Sequence, residues 1–183
     1  MKKICVVISS RANYSSIKST MLAIQNNDRL KLQVVCFASA VLDRFGRVVN
    51  LIKEDGFYVD AEVNVLIEGE NPLTMAKSTG LALMQLPETF SNLEPDVIIT
   101  VGDRYETMAT ALSASYMNIP LAHTMGGEVS GTIDESVRHA VTKFAHIHFP
   151  SNEDAAQRII KMGEDKNNVH VVGCTRIDLV KNI

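Results

Sequence analysis

Residues 96–125 read "DVIITVGDRYETMATALSASYMNIPLAHTM", and this stretch decides the fold. An apolar run at 96–102 ends on Gly102, small helix-forming residues fill Glu106 to Asn118, and a second apolar run occupies 119–125. Short runs that are apolar throughout belong to strands covered on both faces. The helix between them is long enough to be the crossover that two parallel strands require. Residues 96–125 therefore form a strand–helix–strand unit of a parallel sheet.

The rhythm continues in both directions. Upstream, strands are expected at 3–9, 30–38 and, more weakly, 59–66, and the first helix places Ile17, Met21 and Ile24 on one face. A short helix stops at Gly56, and a long one opens at Pro72 and runs to about Leu93, bent or broken near Pro87. Downstream follow a helix in "DESVRHAVTKFA", a strand at 146–151, a helix closed by Gly163 and a seventh strand at 168–173. The expected class is α/β: a doubly wound, Rossmann-like parallel sheet. A chain of 183 residues suffices for one such domain.

Composition removes several functions. With 18 Lys and Arg against 21 Asp and Glu, the chain lacks the basic excess of a nucleic-acid binder. Trp is absent and aromatics are sparse, so no stacking platform for bases or sugars is expected. Cys5, Cys36 and Cys174 lie far apart and form no C-x-x-C pair, and the first two fall inside apolar runs as small buried hydrophobes. The apolar run after Lys3 is too short for a secretion signal, and no 18-residue apolar stretch follows. The expected location is cytoplasmic, with no membrane partner.

Ligands of a doubly wound sheet bind beyond the carboxyl ends of its strands, which ranks four loops: "SSRANYSS", "GDRYE", "GGEVSGTIDE" and "SNED". The first has no glycine and so departs from a dinucleotide fingerprint. It offers Arg11 and several hydroxyls where a helix begins, a place for an anion, with Ser15 or Ser16 expected as the cap. In the second, Gly102 allows a sharp turn into Asp103 and Arg104. That pair reads as ligand-facing, rather than as a plain cap and a solvated arginine, because a second glycine loop lies beside it. The third loop carries Glu128, Asp134 and Glu135 within eight residues, with Thr132 or Asp134 capping the next helix. Crowded carboxylates raise one another's pKa, which yields an acid and a base near neutrality. His146 and His148 alternate along a strand and would share a face, but no third ligand stands near them and no metal is expected.

The stretches "SRANYS", "GDRYE", "HTMGGEVSGTIDESVRHA" and "KFAHIHF…MGE…VHVVGC" resemble the hydrolysing UDP-N-acetylglucosamine 2-epimerases. That family includes bacterial sialic-acid enzymes, relatives acting on UDP-diacetylbacillosamine, and the epimerase half of the animal bifunctional enzyme. The resemblance runs from Lys3 to Asp178. It implies two Rossmann-like domains of the glycosyltransferase-B type with the active site between them. Residues 1–174 would be the N-terminal domain and 175–183 the start of the crossover to a second one, which in the family supplies most UDP contacts and a catalytic histidine. It further implies a UDP-sugar substrate, a homodimer and no cofactor.

By the same resemblance, Asp103 and Asp134 match catalytic carboxylates, and Arg11, Ser15 and Arg104 match nucleotide-binding positions. The implied chemistry is elimination of UDP across C1–C2 to a glycal, then hydration with the opposite configuration at C2. Where the family has Glu in "HIEGGE", this chain has Met125, which cannot move a proton. Either Glu128 or another group takes that part, or this branch uses a different substrate, or the chain is a damaged or engineered variant. "GCTRID" departs from a family "GCP", so Thr175 and Arg176 mark a subfamily. A non-catalytic UDP-sugar-binding module and a GT-B glycosyltransferase are the alternatives, the second requiring an acceptor and leaving C2 untouched.

Overall fold

Six strands form one parallel sheet in the computed structural model, which describes residues 1–177. They are β1 (Lys2–Ile8), β2 (Leu30–Phe37), β3 (Ala61–Val63), β4 (Val97–Val101), β5 (Leu121–Thr124) and β6 (Ile147–Phe149). The helices between and after them are α1 (Arg11–Gln25), α2 (Val48–Glu54), α3 (Pro72–Leu93), α4 (Tyr105–Tyr116), α5 (Ile133–Phe144) and α6 (Glu153–Lys161). The strand order is 3-2-1-4-5-6, with every pairing parallel.

The unbroken apolar strands follow from this layering. In β1, Cys5 and Val7 join one apolar cluster with Leu86 and Phe90 of α3, while Val6 and Ile8 join another with Ile17 and Met21 of α1 and Ile52 of α2. Successive side chains of a strand face opposite ways, so a sheet with helices on both sides needs apolar residues at every position. The doubly wound expectation is met.

Three expectations of detail are corrected. The seventh strand is reduced to a parallel bridge between His148 and Val169, with His170 N–H donating to His148 O at 2.9 Å and Val172 N–H to Pro150 O at 3.1 Å. Its neighbour β6 has only three residues, too short a template for a full ladder, and Val171 and Val172 stay about half exposed. The long helix is continuous through Pro87, because Ser78, Ala82, Leu86 and Phe90, spaced by four, are buried on both sides of the proline and hold the helix to the sheet. The cap of α1 is Ser10, whose hydroxyl accepts from Asn13 N–H, and not Ser15 or Ser16, whose hydroxyls donate back to Ala12 O.

His146 and His148 also part company. His148 is buried with Nε2 3.3 Å from a Glu164 carboxylate oxygen, while the exposed His146 accepts from Leu121 N–H through Nδ1. After Gly173 the chain returns to α1, where Arg176 donates from Nε to Ser16 Oγ at 2.7 Å. Residues 178–183, most of the expected crossover, lie outside the described residues.

Candidate active site

The strand order reverses between β1 and β4, and a doubly wound sheet opens its ligand crevice at that reversal. Asn13 stitches the two flanking loops together. Its Nδ2–H donates to Val101 O at 3.1 Å and its Oδ1 accepts from the Ser9 hydroxyl at 2.5 Å. The sequence reading credited this loop with an arginine and hydroxyls and missed Asn13. A buried amide that serves the next strand over gives no local signal.

Gly102 leaves β4 at φ +72°, a left-handed conformation that favours glycine, and its N–H donates to Thr124 O at 3.1 Å. The next two residues are held in opposite ways. Asp103 is ion-paired to Arg138 of α5; the arginine side chain is only 6% exposed and the aspartate 27%. Arg104 forms a fork with Glu106, Nε at 3.1 Å and a terminal nitrogen at 3.0 Å; here the carboxylate is 2% exposed and the arginine 43%. One pair buries its cation and presents an anion. The other does the reverse.

Arg138 also donates to Glu128 O at 2.7 Å, so a single guanidinium ties the Gly102 turn to the Gly126–Gly127 loop. That loop accepts no side chain at Gly127, where a Cβ would stand 2.3 Å from Ala155 O of α6. The Glu128 carboxylate accepts from Ser151 Oγ at 2.5 Å. Asp134 sits half-buried in the first turn of α5, after the Thr132 cap, close enough for the Arg104 guanidinium to feel its charge. Arg11 is exposed at the start of α1, and Ser15 lies one turn further along. Among the described residues, neither shares a hydrogen bond with Asp103, Glu128 or Asp134.

At Glu135 the fold does the opposite of raising a carboxylate pKa. Glu135 folds back to accept from the Gly131 and Ser130 N–H groups, both at 2.7 Å, and those bonds hold its carboxyl below the ordinary range. Three of the acids have their own partners: Asp103 an arginine, Glu128 a serine and Glu135 two amides. Arg138, the hub of the arrangement, stands in the sequence only as one residue of the helical stretch "DESVRHAVTKFA".

The start of α4 is left open. Among the described residues, Ser10, Asn71, Thr132 and Asn152 cap α1, α3, α5 and α6 through their side chains, whereas α4 begins at Tyr105 with no side chain capping it. Its first amides and the positive end of its dipole are offered beside the Arg104 guanidinium, a ready place for an anion. Arg104 and Tyr105 also line a cavity of 360 Å³ walled by Phe45, Leu66 and Met75. Glu128 borders a separate groove with Asn152 and Arg158. Among the described residues, no three His, Cys, Asp or Glu side chains converge as a metal would require, and no helix is long and apolar enough to cross a membrane.

These features define a doubly wound α/β domain with paired charges gathered at its topological switch point. The chain belongs to the UDP-N-acetylglucosamine 2-epimerase family, whose profile matches residues 22–182. It is 32% identical over 183 residues to the GDP/UDP-N,N'-diacetylbacillosamine 2-epimerase (hydrolyzing) of Campylobacter jejuni, covering 100% of this chain and 47% of that protein. It is 36% identical over 179 residues to the UDP-N,N'-diacetylbacillosamine 2-epimerase (hydrolyzing) of Legionella pneumophila, covering 97% and 47%. The crystal structure of UDP-GlcNAc 2-epimerase from Neisseria meningitidis bound to UDP-GlcNAc shares the fold with a TM-score of 0.87 at 19% identity, over 98% of this chain and 49% of that one. The chain spans about half the length of the curated relatives it matches.

Proposed function

We propose that this chain is the proton-abstracting half of a hydrolysing UDP-2-acetamido-sugar 2-epimerase. The observation that carries the reading is the opposed pair at the β4 exit: a carboxylate presented by a buried arginine, beside an arginine presented by a buried carboxylate. Elimination of UDP needs both. A weakly acidic C2–H requires a positioned base, and the departing diphosphate requires positive charge and N–H donors.

In this reading Asp103 takes the C2 proton. The C–H electron pair becomes the C1–C2 double bond, and the C1–O pair leaves with UDP. Arg104, the open start of α4, and Arg11 and Ser15 at α1 are the groups assigned to the leaving nucleotide. Water then adds, hydroxyl to C1 and proton to C2 from the opposite face, with Asp134 or Glu128 as the acid. Met125 supports a division of labour without the family glutamate, since its side chain packs against the apolar cluster around α1 and α2. The products are UDP and the free 2-epimeric sugar. The reading also expects a cytoplasmic homodimer and a second domain beyond residue 174.

UDP-N,N'-diacetylbacillosamine is a second substrate to test, because proteins named for it are the relatives at 32% and 36% identity. The experiment follows the protein at its full natural length, with each UDP-sugar in D₂O, by ³¹P and ¹H NMR. Free UDP and a 2-epimeric sugar deuterated at C2 are expected. An epimer still attached to UDP would overturn the hydrolysing assignment, and UDP-sugar binding without turnover would make the chain part of a binding module.

A further inference from the structure

We propose that His123 is a positioning residue for Asp103, fixing the β4 exit turn through the Gly102 carbonyl. His123 lies on β5 and is completely buried. Its Nε2 is 2.7 Å from Gly102 O and its Nδ1 is 3.3 Å from Thr142 Oγ1. A carbonyl oxygen can only accept, so Nε2 carries the proton; Nδ1 is the unprotonated nitrogen and lies against Thr142 Oγ1, whose own proton goes to Arg138 O. Burial pushes the imidazole pKa down to about 4, which keeps this neutral tautomer at neutral pH.

The consequence for the site is geometric. The Gly102 carbonyl belongs to the peptide group that leads into Asp103, so the ring fixes the plane from which the catalytic side chain departs. The Gly102 N–H is already bonded to Thr124 O, so β5 grips both polar groups of the turn glycine. On the other side of the ring, Thr142 stands one helical turn after Arg138, with its Oγ1 3.0 Å from Arg138 O. The Gly126 loop lies directly on this pair, since a Cβ there would be 2.9 Å from His123 Nδ1 and 3.0 Å from Thr142 Oγ1. Three elements that hold Asp103 in place therefore meet at one imidazole: the β4 exit, the Gly126 loop and α5. A volume-filling apolar residue would pack there equally well but would leave the Gly102 carbonyl without its donor, and such a buried orphan relaxes by moving.

The inference rests on the role proposed for Asp103, so the test has one readout that does not. Wild type, His123→Phe and His123→Gln are prepared at full natural length, and the histidine side chains are observed by long-range ¹H–¹⁵N NMR, with His123 assigned by its loss in the variants. The expected signal is the Nε2–H tautomer; an Nδ1–H tautomer overturns the proposal whatever the enzyme does. In kinetics, His123→Phe is expected to lower kcat about 30-fold with KM within threefold, and His123→Gln, whose amide N–H reaches the Nε2 position, to recover most of it. Equal losses in both variants, or wild-type kcat in His123→Phe, would also overturn it. A wild-type protein inert on every UDP-2-acetamido sugar sinks the proposed function instead, and the tautomer then decides the His123 bond alone.

Discussion

Two arginine–carboxylate pairs stand side by side at the end of β4, and they are inverted copies of each other. In Arg104–Glu106 the acid is buried and the base of the pair faces the crevice; in Asp103–Arg138 the arginine is buried and the acid faces out. Burying an ion is tolerated only where its charge and hydrogen bonds are matched. Each buried partner thus serves as the fixed support for an exposed one of opposite sign. The difference teaches that adjacent residues can offer a cation and an anion without neutralising each other, provided each is already paired from behind.

Substitutions can break the comparison one member at a time. Asp103→Asn removes the presented anion and keeps the shape; product formation should fall by about 10³-fold with Tm nearly unchanged, and normal turnover would remove Asp103 from the chemistry. Arg138→Met removes the support beneath it. It should lower kcat about 10²-fold and stability by about 2 kcal/mol in urea titrations, since the bond to Glu128 O goes as well.

Both pairs hang on the Gly102 turn, whose anchor has its own pH signature. The pKa of His123 is lower folded than unfolded, so between about pH 6.5 and 4 the unfolded chain binds the extra proton and stability falls as pH falls. By pH 5 the loss attributable to this ring should reach about 2 kcal/mol, measured as the difference between wild type and His123→Gln across the titration. Identical pH profiles would show that the ring is protonated without penalty. The smallest effect is expected from Glu106→Gln, which frees the presented cation. The Kd for UDP, measured by calorimetry, should rise about tenfold while kcat changes less than threefold. A change in kcat alone would mean that Arg104 serves the chemistry and not the nucleotide.

Much of the fold was legible because it depends on local signals. Apolar runs at 3–9, 30–38 and 96–102 became β1, β2 and β4. Where the readings failed, the deciding interaction was remote. "SSRANYSS" offers four serines able to cap a helix, and the choice of Ser10 depends on where β1 lets go. "VHVVG" has the residues of a strand but lies beside a three-residue neighbour. The site was legible as loops and types, and Asp103, Arg104 and Glu128 do lie along the strand ends. The partners were not legible, because Arg138 is 35 residues from Asp103 and Asn13 is 88 from Val101. At Glu135 the crowding argument failed for that reason, since it counted acids without knowing which donors they would find.

The Asn13–Val101 stitch has a consequence in time. Ribosomes add about 5–20 residues per second, so Val101, 88 residues after Asn13, is synthesised roughly 4 to 18 seconds later. Through that interval the first crevice loop has no wall to lean on, and β1 has only β2 beside it. Closing the seam between β1 and β4 means joining Ile4 to Val97 across nearly the first half-chain, a slow and non-local event. A stalled chain that ends before β4 therefore carries Arg11 and Ser15 with no crevice beside them, and the β5 and α5 residues that brace Asp103 are made later still.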